Sequence, residues 1–186
     1  LLLGVTATDD PTGTWHLYAI DADAANTNWF DFPSVGYNNK WITVMGNMFS
    51  VSASTFTGSA IFSIDKASVY AGGPANFTRT AGSLFTVCPA QTFDASQDTM
   101  FLVNVLGSTQ IRIYRITGAV GSEVFATHAT VTSSSWGCTG CSGNFAPQFN
   151  STDLFDNGDW RMQSVVYRNG SIWAAHTAFM PASGRT

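Results

Sequence analysis

Three stretches of this chain repeat one layout: a strand, a turn built on Asn or Gly, a more apolar strand, a polar loop, and a third strand closing on Ile-Asp or Ile-Thr-Gly. No other feature constrains the fold as strongly, because a unit recurring at a near-fixed spacing is the signature of stacked supersecondary modules. The clearest copy runs through residues 32–37, turns at Asn38-Asn39-Lys40, continues through 41–45 and returns at 59–65. The next uses residues 89–93, 94–98, 100–104 and 110–118 in the same roles. A third begins at residues 162–167, turns at Arg168-Asn169-Gly170 and continues through 171–176, while residues 2–8 and 14–21 match only the last two strands of the unit.

The strands themselves say how the units pack. In Trp15 to Ile20 and again in Met100 to Val105, both alternating sets of side chains are largely apolar. A strand with two apolar faces belongs between two other layers. Trp41 lies 60 positions before Phe101, and Phe101 lies 72 before Trp173, the period of a four-stranded β-propeller blade with generous loops. The expectation is an all-β chain forming about three blades of a partial ring, with further blades of the same chain as its partners. Residues 1–28 would end one blade, 29–87 form a second, 88–158 form a third with a long loop, and 159–186 start a fourth. One short helix is expected at residues 65–71, with Asp65 as its N-cap and Gly72-Gly73 as its stop.

Composition narrows the partners. Only 11% of the 186 residues are charged, against roughly 25% in an average soluble domain, and Glu123 is the sole glutamate. Ser, Thr, Asn, Gly and aromatics occupy the positions those charges would fill, a surface suited to neutral hydrogen-bonding ligands and common outside the cell. A net charge of -4 without a basic cluster removes the phosphate-neutralising contribution on which nucleic-acid binding depends. No apolar run reaches the roughly 18–20 residues of a membrane-spanning helix. The reading is therefore a secreted or periplasmic protein with an extracellular glycan or protein as ligand.

Residues 8–15, 31–38, 62–67, 159–162 and 166–177 resemble exported bacterial β-propellers related in style to sialidase-type repeat propellers. The run from Thr8 to Trp15 is similar to an Asp-box hairpin, with Gly13 one place later than in that motif. The resemblance implies a propeller architecture. The arginine triad, Tyr/Glu nucleophile pair and acid Asp of a true sialidase have no counterpart set here, where Glu123 sits in a stretch that reads as loop.

In a propeller the functional mouth is built where chain enters the innermost strand and where the second strand leaves for the third. Asp31, Gln91, Asp159 and Arg161 hold the first kind of position, and Asn47, Asn104 and His176 the second. Carboxylate, amide, guanidinium and imidazole groups around one channel would hydrogen-bond a sugar or a carboxylated ligand. The competing reading is that Asp31 and Asp159 cap turns and Arg161 pairs with one of them. Trp29, Trp136 and Trp160 are candidate stacking platforms or inter-blade packing groups. Cys138 and Cys141 are expected to form a local loop disulfide, leaving Cys88 as a small buried core residue. No cofactor is implied; Asp21-Ala22-Asp23 is the kind of loop Ca²⁺ rigidifies, without a full ligand set. Three functions fit: a non-catalytic binding module, a glycoside hydrolase or lyase with further catalytic residues in other blades, and an inert assembly module.

Overall fold

Eight successive residues, Trp41 through Met48, are all buried, and this run is the middle of the molecule. In the computed structural model, which describes residues 1–137, 144–156 and 158–178, the chain is all-β with one short helix. The strands are β1 (Leu2–Thr6), β2 (Trp15–Ala19), β3 (Asn28–Tyr37), β4 (Trp41–Ser50), β5 (Phe56–Asp65), β6 (Phe77–Gly82), β7 (Cys88–Pro89), β8 (Met100–Leu106), β9 (Gln110–Ala119), β10 (Ser122–Thr132), β11 (Asn144–Pro147), β12 (Leu154–Asp156), β13 (Met162–Arg168) and β14 (Ser171–His176). Helix α1 (Lys66–Tyr70) follows β5, and Asp65 caps it by accepting hydrogen bonds from the N–H groups of Ala67 and Ser68.

Strands β3 to β6 form one four-stranded antiparallel meander and β7 to β10 a second, while β1–β2, β11–β12 and β13–β14 are hairpins. The Arg168-Asn169-Gly170 turn joins β13 to β14 with φ of 51° at Asn169 and 76° at Gly170, the left-handed pair that matches hairpin twist. No sheet closes on itself as a barrel among the described residues.

The sheets stack face to face in chain order. One face of the first meander, with Ile42, Val44, Phe62 and Ile64, packs on Ile20 and the partly buried Leu1, Leu3 and Tyr18 of the β1–β2 region. Its other face, with Trp41, Met45 and Ile61, packs on Met100, Leu102, Tyr114 and Ile116 of the second meander. The far face of that meander, with Cys88, Val103 and Val105, packs on Met162 and Val165 of β13. Two apolar faces on β4 and β8 follow directly from this arrangement, since a strand between two layers has no solvent side.

Side chains cross between the meanders at their shared boundary. The indole Nε1 of the fully buried Trp41 donates to Glu123 Oε1 on β10 at 2.9 Å. Glu123 is thus a strand residue rather than the loop residue its neighbourhood implied. The reason is that β10 is an outer strand, largely half-buried or exposed and rich in Thr and Ala, so it carries no strong apolar alternation to read. The Asn38–Lys40 turn is tied to the loop before β8: Asn39 Nδ2 donates to Asp98 at 2.8 Å and Lys40 Nζ lies 3.1 Å from the same carboxylate.

Strands β3, β7 and β13, the first of their respective sheets, run side by side. Tyr37 and Gln91 form a parallel bridge, as do Gln91 and Val166. Tyr37 N–H donates to Ala90 O at 3.1 Å and Thr92 N–H to Tyr37 O at 3.0 Å. Gln91 N–H donates to Val165 O at 2.9 Å and Tyr167 N–H to Gln91 O at 2.9 Å. Gly36 permits this approach, because a Cβ there would lie 2.5 Å from Ala90 O and 2.6 Å from Pro89 C.

Candidate functional site

The three parallel first strands enclose a groove of about 330 Å³, lined by Phe32 to Val35 on β3, by Cys88, Pro89 and Gln91, and by Gln163 to Val165 on β13. Its far end is closed by the bridges at Tyr37, Gln91 and Val166. At its near end Arg161 lies over the Phe32 ring, with Asp159 beside it.

Local geometry there is set by a bulge in β3. Asp31 pairs with Asn47 and Ser34 with Met45, so that Phe32 and Pro33 together face Gly46. Phe32 takes φ of 52°, a left-handed conformation that a bulky residue rarely adopts without support. The support is Arg161, whose guanidinium carbon lies 3.8 Å from the centre of the Phe32 ring. Arg161 comes from the start of β13, so this contact links the first and third of the parallel strands. Its Nε sits 2.6 Å from Asp159 Oδ2, in ion-pair contact though without hydrogen-bond geometry. Asp159 Oδ1 in turn accepts the Arg161 N–H at 2.8 Å.

The candidate residues therefore divide. Arg161 pairs with Asp159 and stacks on Phe32 at one end of the groove, while Asp31 precedes Phe32 and pairs across to Asn47. Gln91 lies at the other end, because β7 is only Cys88–Pro89 and Gln91 follows it into the parallel bridges; its Nε2 donates to Val35 O at 3.3 Å. Asn47 and Asn104 are buried and face inward to the Phe85–Thr86 segment. Asn47 Nδ2 donates to Thr86 Oγ1 at 2.9 Å and its Oδ1 accepts the Thr86 N–H at 2.8 Å. Asn104 Nδ2 donates to Phe85 O at 2.7 Å. The two amides hold Thr86, itself at φ of 48°, at the point where the chain passes into β7. His176 ends β14 beside Met162, its ring 5.1 Å from that of Trp136 and its Nδ1 3.0 Å from Thr177 O.

Other titratable groups are equally committed. For Glu123, burial pushes the pKa up, but hydrogen bonds that include those from the Gly121 N–H and the Trp41 indole outweigh it and leave the carboxyl below its ordinary value. Burial drives the Cys88 thiol up to about 11, so Cys88 is a packing group rather than a nucleophile. The Cys138 and Cys141 pairing lies outside the described residues. Asp23 has its pKa lowered to about 2 by hydrogen bonds from Asn28 and Thr27, and Asp21 accepts the Asp23 N–H at 3.0 Å; both carboxylates thus hold their own loop. Among the described residues no three His, Cys, Asp or Glu side chains are grouped as metal ligands.

Of the three tryptophans singled out from sequence, Trp136 is buried and Trp160 packs half-buried against the third core cluster. Trp29 alone presents a broad face. It stacks on Phe49 with ring centres 5.3 Å apart; Phe49 meets Phe56 at 5.9 Å, and Phe56 meets Phe85 at 5.3 Å. Trp29, Phe56 and Phe85 are 44%, 37% and 36% exposed, so the four rings form a continuous aromatic strip on the surface. Their neighbours in sequence are neutral and bond among themselves: the Ser50 and Ser52 hydroxyls lie 3.0 Å apart, and the Thr57 hydroxyl donates to Asn28 Oδ1 at 2.7 Å, with Asn28 and Ser50 alternating to the sheet face opposite Trp29 and Phe49. The Asn47 and Asn104 bonds fix the strip at its Phe85 end.

Sequence reading missed Phe49, Phe56 and Phe85 because two register shifts assemble the strip. One is the Phe32–Pro33 bulge, and the other falls between Met48 and Phe49 on β4. Counting back from the Asn38–Lys40 turn without the first bulge would put Ser50, not Phe49, opposite Trp29. No family model matches this sequence, and neither a curated protein nor a solved structure is found to be similar to it.

Proposed function

We propose that this chain forms blades of an exported β-propeller and serves as a non-catalytic module that binds a neutral, hydroxyl-rich ligand of the glycan class on the Trp29–Phe49–Phe56–Phe85 strip. The face-to-face stacking of successive sheets and the parallel first strands around a groove support the propeller reading, because radial blades meet in that way. The observation that carries the binding reading is the strip itself: four rings in successive contact, three of them more than a third exposed. Aromatic faces are apolar platforms for the C–H groups of a sugar.

Catalysis fits the polar groups less well than binding does. Asp159 is held by Arg161, Glu123 by Trp41, Asn47 by Thr86 and Asn104 by the Phe85 carbonyl, so these polar groups serve the fold. Most glycoside hydrolases use a pair of carboxyl groups across one bond; here Asp159 is already engaged by Arg161, and Asp31 pairs across the strand with Asn47.

A glycan array followed by calorimetry on the best oligosaccharide tests the proposal. Trp29→Ala and Phe56→Ala are each expected to weaken binding by about tenfold, the value of one aromatic contact, with folding unchanged. Binding insensitive to both substitutions would remove the strip as the site. Turnover of a glycoside abolished by Asp31→Asn or Asp159→Asn would replace binding with catalysis.

A further inference from the structure

A second concavity lies at the opposite end of β3 from the strip. It has a volume of about 470 Å³ and is walled by Tyr37 from β3, Tyr70 from α1, and Phe93 and Asp94 from the loop after β7, with Lys66 among its lining residues. Phe93 is 92% exposed and meets Tyr37 edge-on with ring centres 5.5 Å apart. A phenyl ring held in water over a hollow is an unfavourable arrangement unless something else covers it.

Lys66 gives the hollow its chemistry. Its ammonium is half-buried, 5.3 Å from the Tyr70 ring centre and 5.8 Å from that of Tyr37, and it donates one hydrogen bond to Asn38 O at 2.7 Å. Among the described residues it has no carboxylate in ion-pair contact; Asp94 Oδ1 is taken up by the N–H and hydroxyl of Ser96 at 2.9 and 2.6 Å. Burial lowers the Lys66 pKa from its ordinary value, the expected result when an ammonium sits among rings without a counter-ion. The aromatic walls already hold one cation, so the group the site lacks is an anion.

We infer that this cavity binds an organic carboxylate with a flat apolar body, its carboxylate paired with Lys66 and its body laid against Tyr37, Tyr70 and Phe93. A volume of this size lies within the range of small-molecule sites. The inference rests on none of the chemistry of the Trp29 strip.

Titration of the isotope-labelled protein with benzoate, benzamide and inorganic phosphate, followed by nuclear magnetic resonance, provides the test. Benzoate is expected to shift the side-chain signals of Tyr37, Tyr70 and Phe93. Benzamide, which lacks the charge, and phosphate, which lacks the flat body, are each expected to bind about tenfold more weakly, the scale of one charge-assisted hydrogen bond or one ring contact. Lys66→Gln should cost benzoate a similar factor. Phe93→Ala, at a site too exposed to affect folding, should also weaken benzoate and decides the matter if Lys66→Gln does not fold. Absence of shifts at the three rings, equal binding of benzamide or phosphate, or unchanged benzoate affinity in both variants would overturn the assignment.

Discussion

Asn47 and Asn104 show how a side chain's role is set by what lies opposite it. Both are polar residues inside otherwise apolar strands, and that much is visible in the sequence as an oddity. Their partner is Thr86, 39 positions from Asn47 and 18 from Asn104, and no spacing rule connects them. A buried backbone N–H left without an acceptor costs more than an average hydrogen bond contributes. Asn47→Ala, which strips both bonds from Thr86, is therefore expected to lower unfolding stability by about 1–3 kcal/mol, measured by chemical denaturation. An unchanged midpoint would mean that Thr86 is held by other means. The Arg161–Asp159 pairing was legible as one of two readings, because an Asp two residues before an Arg at a strand start readily caps its own turn. The Arg161–Phe32 stacking was not, since it joins segments 129 positions apart.

Elements were legible in proportion to their apolar patterning. Strands β4 and β8, buried on both faces, announce themselves, and so does α1 through Asp65 and the glycines that follow. The outer strands β6 and β10 do not, because half of their surface faces water and Thr, Ala and Gly dominate them. Bulges escaped for a different reason: one extra residue moves a whole strand segment to the other register without altering its composition. The close approach of β3 to β7 was equally silent, although it depends on a single residue. Gly36→Ala would place a methyl group against the Ala90 carbonyl and Pro89, and overpacking of this kind costs about 1–3 kcal/mol. The expected outcome is a lower Tm together with faster amide exchange at Tyr37 and Thr92, whose N–H groups bond across that junction. Exchange rates unaltered at those two amides would show that β3 and β7 are not held together there.

At the scale of the molecule, low charge, two-faced strands and a recurring unit point one way: layers stacked in chain order. The all-β character and the stacking follow from the sequence because burial on both faces is written into the residues themselves. The sites do not, because each is assembled from segments that pattern alone does not bring together. The Trp29 strip needs two register shifts, and the Lys66 cavity needs α1, β3 and the loop after β7 to meet. The groove and the Lys66 cavity both depend on one structural fact, the parallel alignment of β3, β7 and β13, which brings the loop after β7 beside the end of β3. Nuclear Overhauser contacts measure that alignment directly. A parallel register predicts cross-peaks from Gln91 Hα to the Tyr37 amide proton and from Val166 Hα to the Gln91 amide proton. Absence of both, or Hα–Hα cross-peaks between these strands of the kind antiparallel pairing produces, would contradict the account.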